Sequence, residues 1–150
     1  MSDQSHEVRH QPMILGFDPG RHKCGLAVME VNRIVHWHHV VAASQVIESI
    51  NQLCETYPIF LLVMGNQTTS KEWYHKCQSL LTPSLQIQKV DERYSTLAAR
   101  TKYWQMFPPQ GINRLIPQSL RTIHRPIDDI VAIILVERYL EQYEVEAISN

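Results

Sequence analysis

The stretch Met13-Ile14-Leu15-Gly16-Phe17-Asp18-Pro19-Gly20 decides the fold. Met13 to Phe17 is a short apolar run that stops at the turn tripeptide Asp18-Pro19-Gly20, which reads as a buried strand ending on a carboxylate. Downstream, Cys24 to Val31 and Ile34 to Val41 are β-rich runs joined around Asn32-Arg33, so the chain is expected to open with three strands and a hairpin. Ser44 then reads as the N-cap of an amphipathic helix in which Val46, Ile47, Ile50, Leu53 and Cys54 recur at helical spacing up to Pro58. Ile59 to Met64 is continuously apolar, as expected of a strand covered on both faces. A polar stretch, Asn66 to Ser70, leads into a helix over Lys71 to Leu81, and Leu85 to Val90 reads as a fifth strand. Thr96 to Phe107 is helical in pattern until Pro108-Pro109. Gln110 to Pro126 reads as a loop with short turns, and Ile127 to Tyr143 as a last, well-buried helix. Strands followed by alternating helices and strands predict an α/β layered fold with a mixed five-stranded sheet flanked by helices.

Length and composition bound this reading. A chain of 150 residues, 44% hydrophobic and 19% charged, supports one core and not comfortably two, so a single domain is expected over residues 13–145. Residues 1–12 are expected to be a flexible N-terminal segment and residues 146–150 a C-terminal tail. No apolar run reaches the roughly 18 residues that a membrane span needs, and Met1 to Pro12 lack the apolar centre of a secretory signal. A cytoplasmic location with no membrane association is the expectation. Cys24, Cys54 and Cys77 form no CxxC pair and leave an odd count, which favours buried reduced thiols over a disulfide framework or a zinc site.

The net charge of -1 conceals a segregation. Between residues 93 and 127 stand Arg93, Arg100, Lys102, Arg114, Arg121 and Arg125 with no carboxylate, whereas residues 128 to 150 hold one arginine and six acids. Such a cationic stretch reads as a surface for a polyanion. The alternative is pairing of these cations across the fold with the acidic C-terminal stretch.

Three acids stand at the ends of expected elements. Asp18 ends the first strand, Glu92 follows the strand Leu85 to Val90, and Asp128 opens the final helix. Clustered carboxylates repel one another and are costly to bury, and a hard divalent ion removes that penalty with oxygen ligands and retained waters. Two such ions about 3.5 to 4 Å apart can promote phosphodiester cleavage. Singly, each acid has a plainer reading: Asp18 as a turn residue, Asp128 or Asp129 as an N-cap, and Glu92 as a surface ion-pair partner of Arg93. Their joint occurrence favours the metal site.

Ile14 to Gly20 with Gly25-Leu26-Ala27-Val28, then Val90-Asp91-Glu92-Arg93-Tyr94-Ser95-Thr96, then Ile127-Asp128-Asp129-Ile130 through Tyr139-Leu140-Glu141 resemble the YqgF family, also called RuvX. The similarity covers nearly the whole chain after about residue 12, and the Asp-Glu-Arg-x-Ser-Thr string is its most specific part. The resemblance implies an RNase H-like fold close to the RuvC resolvases and metal-dependent endonuclease activity with Mg²⁺ or Mn²⁺. It favours trimming of the 5′ side of the small-subunit (16S) ribosomal RNA precursor in ribosome biogenesis, in contact with the ribosome, by a monomer or homodimer. Matched by position, Asp18, Glu92 and Asp128 are the implied catalytic and metal-binding residues, with Asp129 a reserve ligand. The chain departs from the family at Gly65-Asn66-Gln67-Thr68-Thr69-Ser70-Lys71, where no carboxylate stands, so any fourth acidic ligand is in doubt.

Further residues read as supports. Arg21, His22 and Lys23 follow the Asp18 turn, and Lys71 and Arg93 stand at loop positions. Arg114, Arg121, His124 and Arg125 precede Asp128 and are expected to clamp a nucleic-acid backbone. Tyr103, Trp104 and Phe107 read as core by their helical spacing, with base stacking as the alternative. His36 and His38 share one face of a strand without a third ligand, which argues against a transition-metal site. Two further functions compete with RNA cleavage: resolution of branched DNA such as a Holliday junction, and a non-catalytic nucleic-acid or ribosome-binding module. An actin-like or sugar-kinase ATPase is disfavoured, because such proteins need two domains of this kind.

Overall fold

The protein is described by a computed structural model that covers residues 11–67, 69–81 and 85–149. All but Gln11 and Pro12 of the expected N-terminal segment lies outside the described residues. Five strands form one sheet: β1 (Met13–Asp18), β2 (Lys23–Glu30), β3 (Val35–Ala42), β4 (Ile59–Gly65) and β5 (Gln86–Val90). Their order across the sheet is β3-β2-β1-β4-β5. β1, β2 and β3 run antiparallel to one another, while β4 lies parallel to β1 and β5 parallel to β4. The mixed sheet expected from the sequence is therefore present. The β2–β3 turn is made at Asn32-Arg33: Arg33 takes a left-handed φ of 73° and the Asn32 side chain accepts the Ile34 amide at 3.2 Å.

The helices are α1 (Val46–Thr56), α2 (Ser70–Leu80), α3 (Ser95–Met106) and α4 (Asp128–Ser149). Two expectations are corrected here. Ser44 does not cap α1, because it sits inside a 3-10 turn, Ala43–Gln45, that precedes the helix. The last helix does not stop at Tyr143 but runs to Ser149, through residues read as a tail.

Strand parity divides the core in two. Met13, Leu15 and Phe17 pack with α1 and α2 residues such as Ile50, Leu53, Trp73 and Cys77. Ile14, Ala27, Met29, Leu61 and Val63 point to the other face, where Ile130 to Val136 of α4 and Ala99 of α3 cover them. Asp18 shares the parity of Ile14 and Gly16, so it emerges on the α4 face at the carboxyl end of β1. Two glycines let α4 lie close: a Cβ on Gly16 would come within 2.3 Å of the Ala132 carbonyl oxygen, and one on Gly25 within 1.8 Å of that of Asp128. Ala132 and Asp128 are one helical turn apart, so two missing side chains seat two successive turns. The thiols are free, and burial pushes Cys24 up to about 11 and Cys77 up to about 12, consistent with inert packing groups.

Candidate active site

Asp18 sits in the middle of a row that crosses three strands. On one side it pairs in register with Gly25 of β2. On the other, Phe17 pairs with Met64, which sets Asp18 beside Gly65 at the end of β4. Each glycine carries a second acid. The main chain of Asp128 rests on Gly25, and the Glu92 carboxyl rests on Gly65, where an added Cβ would stand 2.6 Å from its Cδ and Oε2. β5 ends at Val90 opposite Gly65, so Glu92, two residues further, folds back over the strand it has just left. There its Oε1 accepts the Gln67 amide at 2.5 Å. Tyr94 takes a left-handed φ of 60° immediately afterwards, and the Ser95 amide closes the turn on the Glu92 carbonyl.

The Asp18 carboxyl senses the other two acids. Burial, then the charge of Asp128, then that of Glu92 push the Asp18 carboxyl up to about 8. No ion pair compensates any of the three among the described residues. Asp128 also occupies the first turn of α4, where the helix dipole favours an ionised acid. The turn that carries Asp18 is anchored from below: the Trp73 indole donates to the Gly20 carbonyl at 3.3 Å and packs edge-on against Phe17.

The donor set fits a hard divalent cation in its chemistry, being all carboxylate oxygen with repulsion left over for a cation to relieve. Among the described residues, however, no group of three or more His, Cys, Asp and Glu side chains is closed up enough to hold a metal ion as it stands.

Asp129 is not gathered with the trio. It is 2% exposed, and its carboxylate accepts His38 Nδ1 at 2.6 Å and Arg125 at 3.0 and 3.4 Å. Burial raises its pKa, but the hydrogen bonds from His38 and Arg125 outweigh burial and hold it below the usual carboxylate value. A clasp between β3, the loop and α4 thus occupies the residue named as reserve ligand.

The cationic stretch is largely committed to the fold. Lys102 pairs with Glu137 at 2.7 Å, which realises the alternative of pairing with the acidic C-terminal stretch. Arg93 pairs with Asp91 rather than Glu92. Arg100 donates to the Arg121 carbonyl, and Arg121 to the carbonyls of Asn113 and Ile116, so these two tie down the loop. Arg114 is exposed, as are Arg21, His22, Lys23 and Lys71 around the Asp18 side of the sheet. Sequence reasoning missed the Gly25 and Gly65 supports, the Gln67 amide and the role of His38. Gly65, which closes the apolar run Ile59 to Met64, was a signal for one of the two glycines, whereas Gly25 lies within β2 and meets Asp128 only through the fold.

The family model for RuvX, described as Holliday junction resolvase, matches residues 12–142. The chain belongs to the RuvX family. Its α/β sheet is accordingly that of an RNase H-like RuvX protein, and the RuvX match includes Asp18, Glu92 and Asp128 within its span. Membership carries a nuclease-like, nucleic-acid-directed function at the level of the family. Comparison with curated proteins gives no match. Among solved structures, the RuvX chain is similar to a ROK-family transcriptional regulator, described as a homologue of the E. coli MLC protein, at 10% identity and a TM-score of 0.40, covering 61% of this chain and 31% of that one. It is also similar to a protein described as a sugar kinase from Cytophaga hutchinsonii, at 14% identity and a TM-score of 0.38, covering 61% of this chain and 39% of that one. The chain thus spans well under half the length of either. No described helix is long and apolar enough to cross a membrane.

Proposed function

We propose that this protein is a divalent-metal-dependent endonuclease whose reaction is organised by Asp18, Glu92 and Asp128. The observation that carries the reading is the row Gly25–Asp18–Gly65, with one acid laid on each glycine and the central carboxyl held near 8 by its neighbours. A fold does not keep an uncompensated, half-buried acid for stability, whereas hydrolysis of a phosphodiester gives it a use.

When bound, Mg²⁺ or Mn²⁺ would supply Lewis acidity at the phosphate and a water acidic enough to attack it. Asp18, Glu92 and Asp128 would hold the cation from three elements of the fold. Glu92 is oriented for this by the Gln67 amide, and Asp128 by the seat of α4 on Gly25. Arg21, Lys23, Lys71 and Arg114 are exposed and are assigned to the phosphates flanking the scissile bond. Arg93 and Arg125 would contribute to that field while held by protein partners, whereas the Arg121 guanidinium is engaged by the carbonyls of its own loop.

The favoured substrate is the 5′ side of the 16S ribosomal RNA precursor, processed in the cytoplasm during ribosome assembly. A second reading, cleavage of branched DNA, is favoured by the family's description as Holliday junction resolvase. The deciding experiment offers precursor RNA and a four-way DNA junction to wild type and Asp18→Asn, with Mg²⁺, Mn²⁺ or EDTA. Metal-dependent cutting by wild type alone supports the assignment, and the better substrate chooses between the readings. Equal cutting by both proteins rejects it. Binding without cutting would favour a non-catalytic module.

A further inference from the structure

α3 ends at Met106, before Pro108-Pro109; its last turn carries Tyr103 and Trp104, and Phe107 follows as its C-cap. These rings pack on one another, and Phe107 also meets His38 of β3 edge-on at 6.5 Å. Tyr103 meets Trp104 edge-on at 5.0 Å and Phe107 at 5.1 Å, and only Tyr103 reaches the core cluster under α4. The loop returning towards α4 stands opposite and leaves an open cleft of about 340 Å³, lined also by Asn113, Thr122 and His124.

The cleft has the wrong chemistry for core. Phe107 is 42% exposed. The Arg125 guanidinium lies 5.5 Å from the Tyr103 ring and 5.7 Å from that of Phe107, while Arg121 lies 5.4 Å from Trp104. Among the described residues, no carboxylate lines the cleft. The indole nitrogen of Trp104 is buried yet finds no acceptor among the described residues, an unusual state for a buried N–H. Flat rings and guanidinium groups match an unpaired nucleobase, which offers a π face, ring or carbonyl acceptors, and a phosphate on either side. Paired bases bury those faces inside the duplex.

Position adds to the chemistry. Arg125 lines the cleft, is bound to Asp129 and stands three residues before Asp128, so the cleft adjoins the amino end of α4. We infer that this cleft takes one unpaired base of the bound nucleic acid, beside the carboxylate row, and so directs cutting to strands with an unstacked nucleotide. The inference rests on the nuclease reading for its purpose, but not for its test.

The test uses the full chain in EDTA, where no cleavage occurs, with RNA and DNA hairpins carrying a single 2-aminopurine in an unpaired position. Wild type is expected to quench the probe on binding, and a fully paired duplex carrying the same probe is not. Phe107→Ala, which removes a half-exposed ring, and Thr122→Trp, which fills the cleft from an exposed position, are each expected to abolish the quench and to weaken hairpin binding about tenfold. Asp18→Asn is expected to keep the quench. Wild-type quenching retained by both cleft variants, with melting temperatures unchanged, overturns the inference. If Asp18→Asn still cuts in Mg²⁺ while the quench follows the cleft variants, the base site stands and the nuclease assignment fails. If cutting depends on Asp18 and no quench is seen, the base site alone is wrong. The RNA and DNA arms show which polymer supplies the base.

Discussion

Gly25 lies against the main chain of Asp128 so closely that a Cβ would stand 1.8 Å from its carbonyl oxygen. That contact, made by the absence of a side chain, sets the height at which the Asp128 carboxylate meets Asp18.

Gly25→Ala and Gly65→Ala should therefore behave differently. The first forces backbone against backbone, so it is expected to destabilise by about 2–3 kcal/mol and to lose activity together with stability. The second meets only the end of the Glu92 side chain. Melting should change little, while cleavage falls at least about tenfold because Glu92 is turned away. Paired thermal melts and cleavage rates check this, and equal stability losses would show that Gly65 is not a seat for Glu92.

Asp18→Asn tests the crowding directly. The folded carboxyl titrates near 8 against 3.8 for an ordinary aspartate, so the native state binds the extra proton and stability falls as pH rises between those values. Asparagine removes that dependence. The melting temperature of Asp18→Asn should match wild type near pH 4 and exceed it by about 5 °C or more at pH 8 in EDTA. Adding Mg²⁺ at pH 8 should raise wild type and leave the variant nearly unmoved. A difference that stays flat with pH would mean that Asp18 is neither buried nor opposed.

Much of this was legible beforehand, and the reasons are local. The run Met13 to Phe17 ending at Asp18, and Ile59 to Met64 before Gly65, are apolar strands bounded by turn chemistry, so short-range patterns found them. The pairing of Lys102 with Glu137, the clasp of His38 on Asp129, and Arg121 on the carbonyls of its own loop depend on contacts between distant residues or on loop geometry. No periodicity announces those. Asp128 and Asp129 are the same residue type side by side, and only the rotation of the helix separates them. The length of α4 was missed because Glu144 to Ser149 offer only one apolar pair at helical spacing, Val145 and Ile148, too short a repeat to extend the pattern beyond Tyr143.

His38→Ala removes one of two partners of a carboxylate that is 2% exposed. The expected loss at pH 7 is about 1–3 kcal/mol. Because the Asp129 pKa is held below its ordinary value, the clasp contributes above that ordinary value and is lost as pH falls through the folded one. The gap between wild type and variant should accordingly narrow from pH 7 to pH 3. Urea titrations at the two pH values measure it.

Arg121→Ala should act on the loop rather than on the ligand. Its guanidinium holds two carbonyls, so a fall of several degrees in melting temperature is expected, with a nearly unchanged salt dependence of binding. Arg114→Ala, on the exposed loop, should leave melting alone and lower the salt slope by roughly 0.7–0.9. Fluorescence anisotropy across a salt series separates the two.

Gly16 and Gly25 fix α4 at Ala132 and at Asp128, one turn apart, and so they index the helix as two notches index a shaft. A one-residue insertion between Asp129 and Ala132 would rotate the preceding turn by about 100° and present the neighbouring aspartate, already clasped by histidine and arginine, to the groove, and a deletion there would present Ile127. Evolution is thereby denied gradual sliding along this element: its register must be inherited whole, even where the surrounding loops drift.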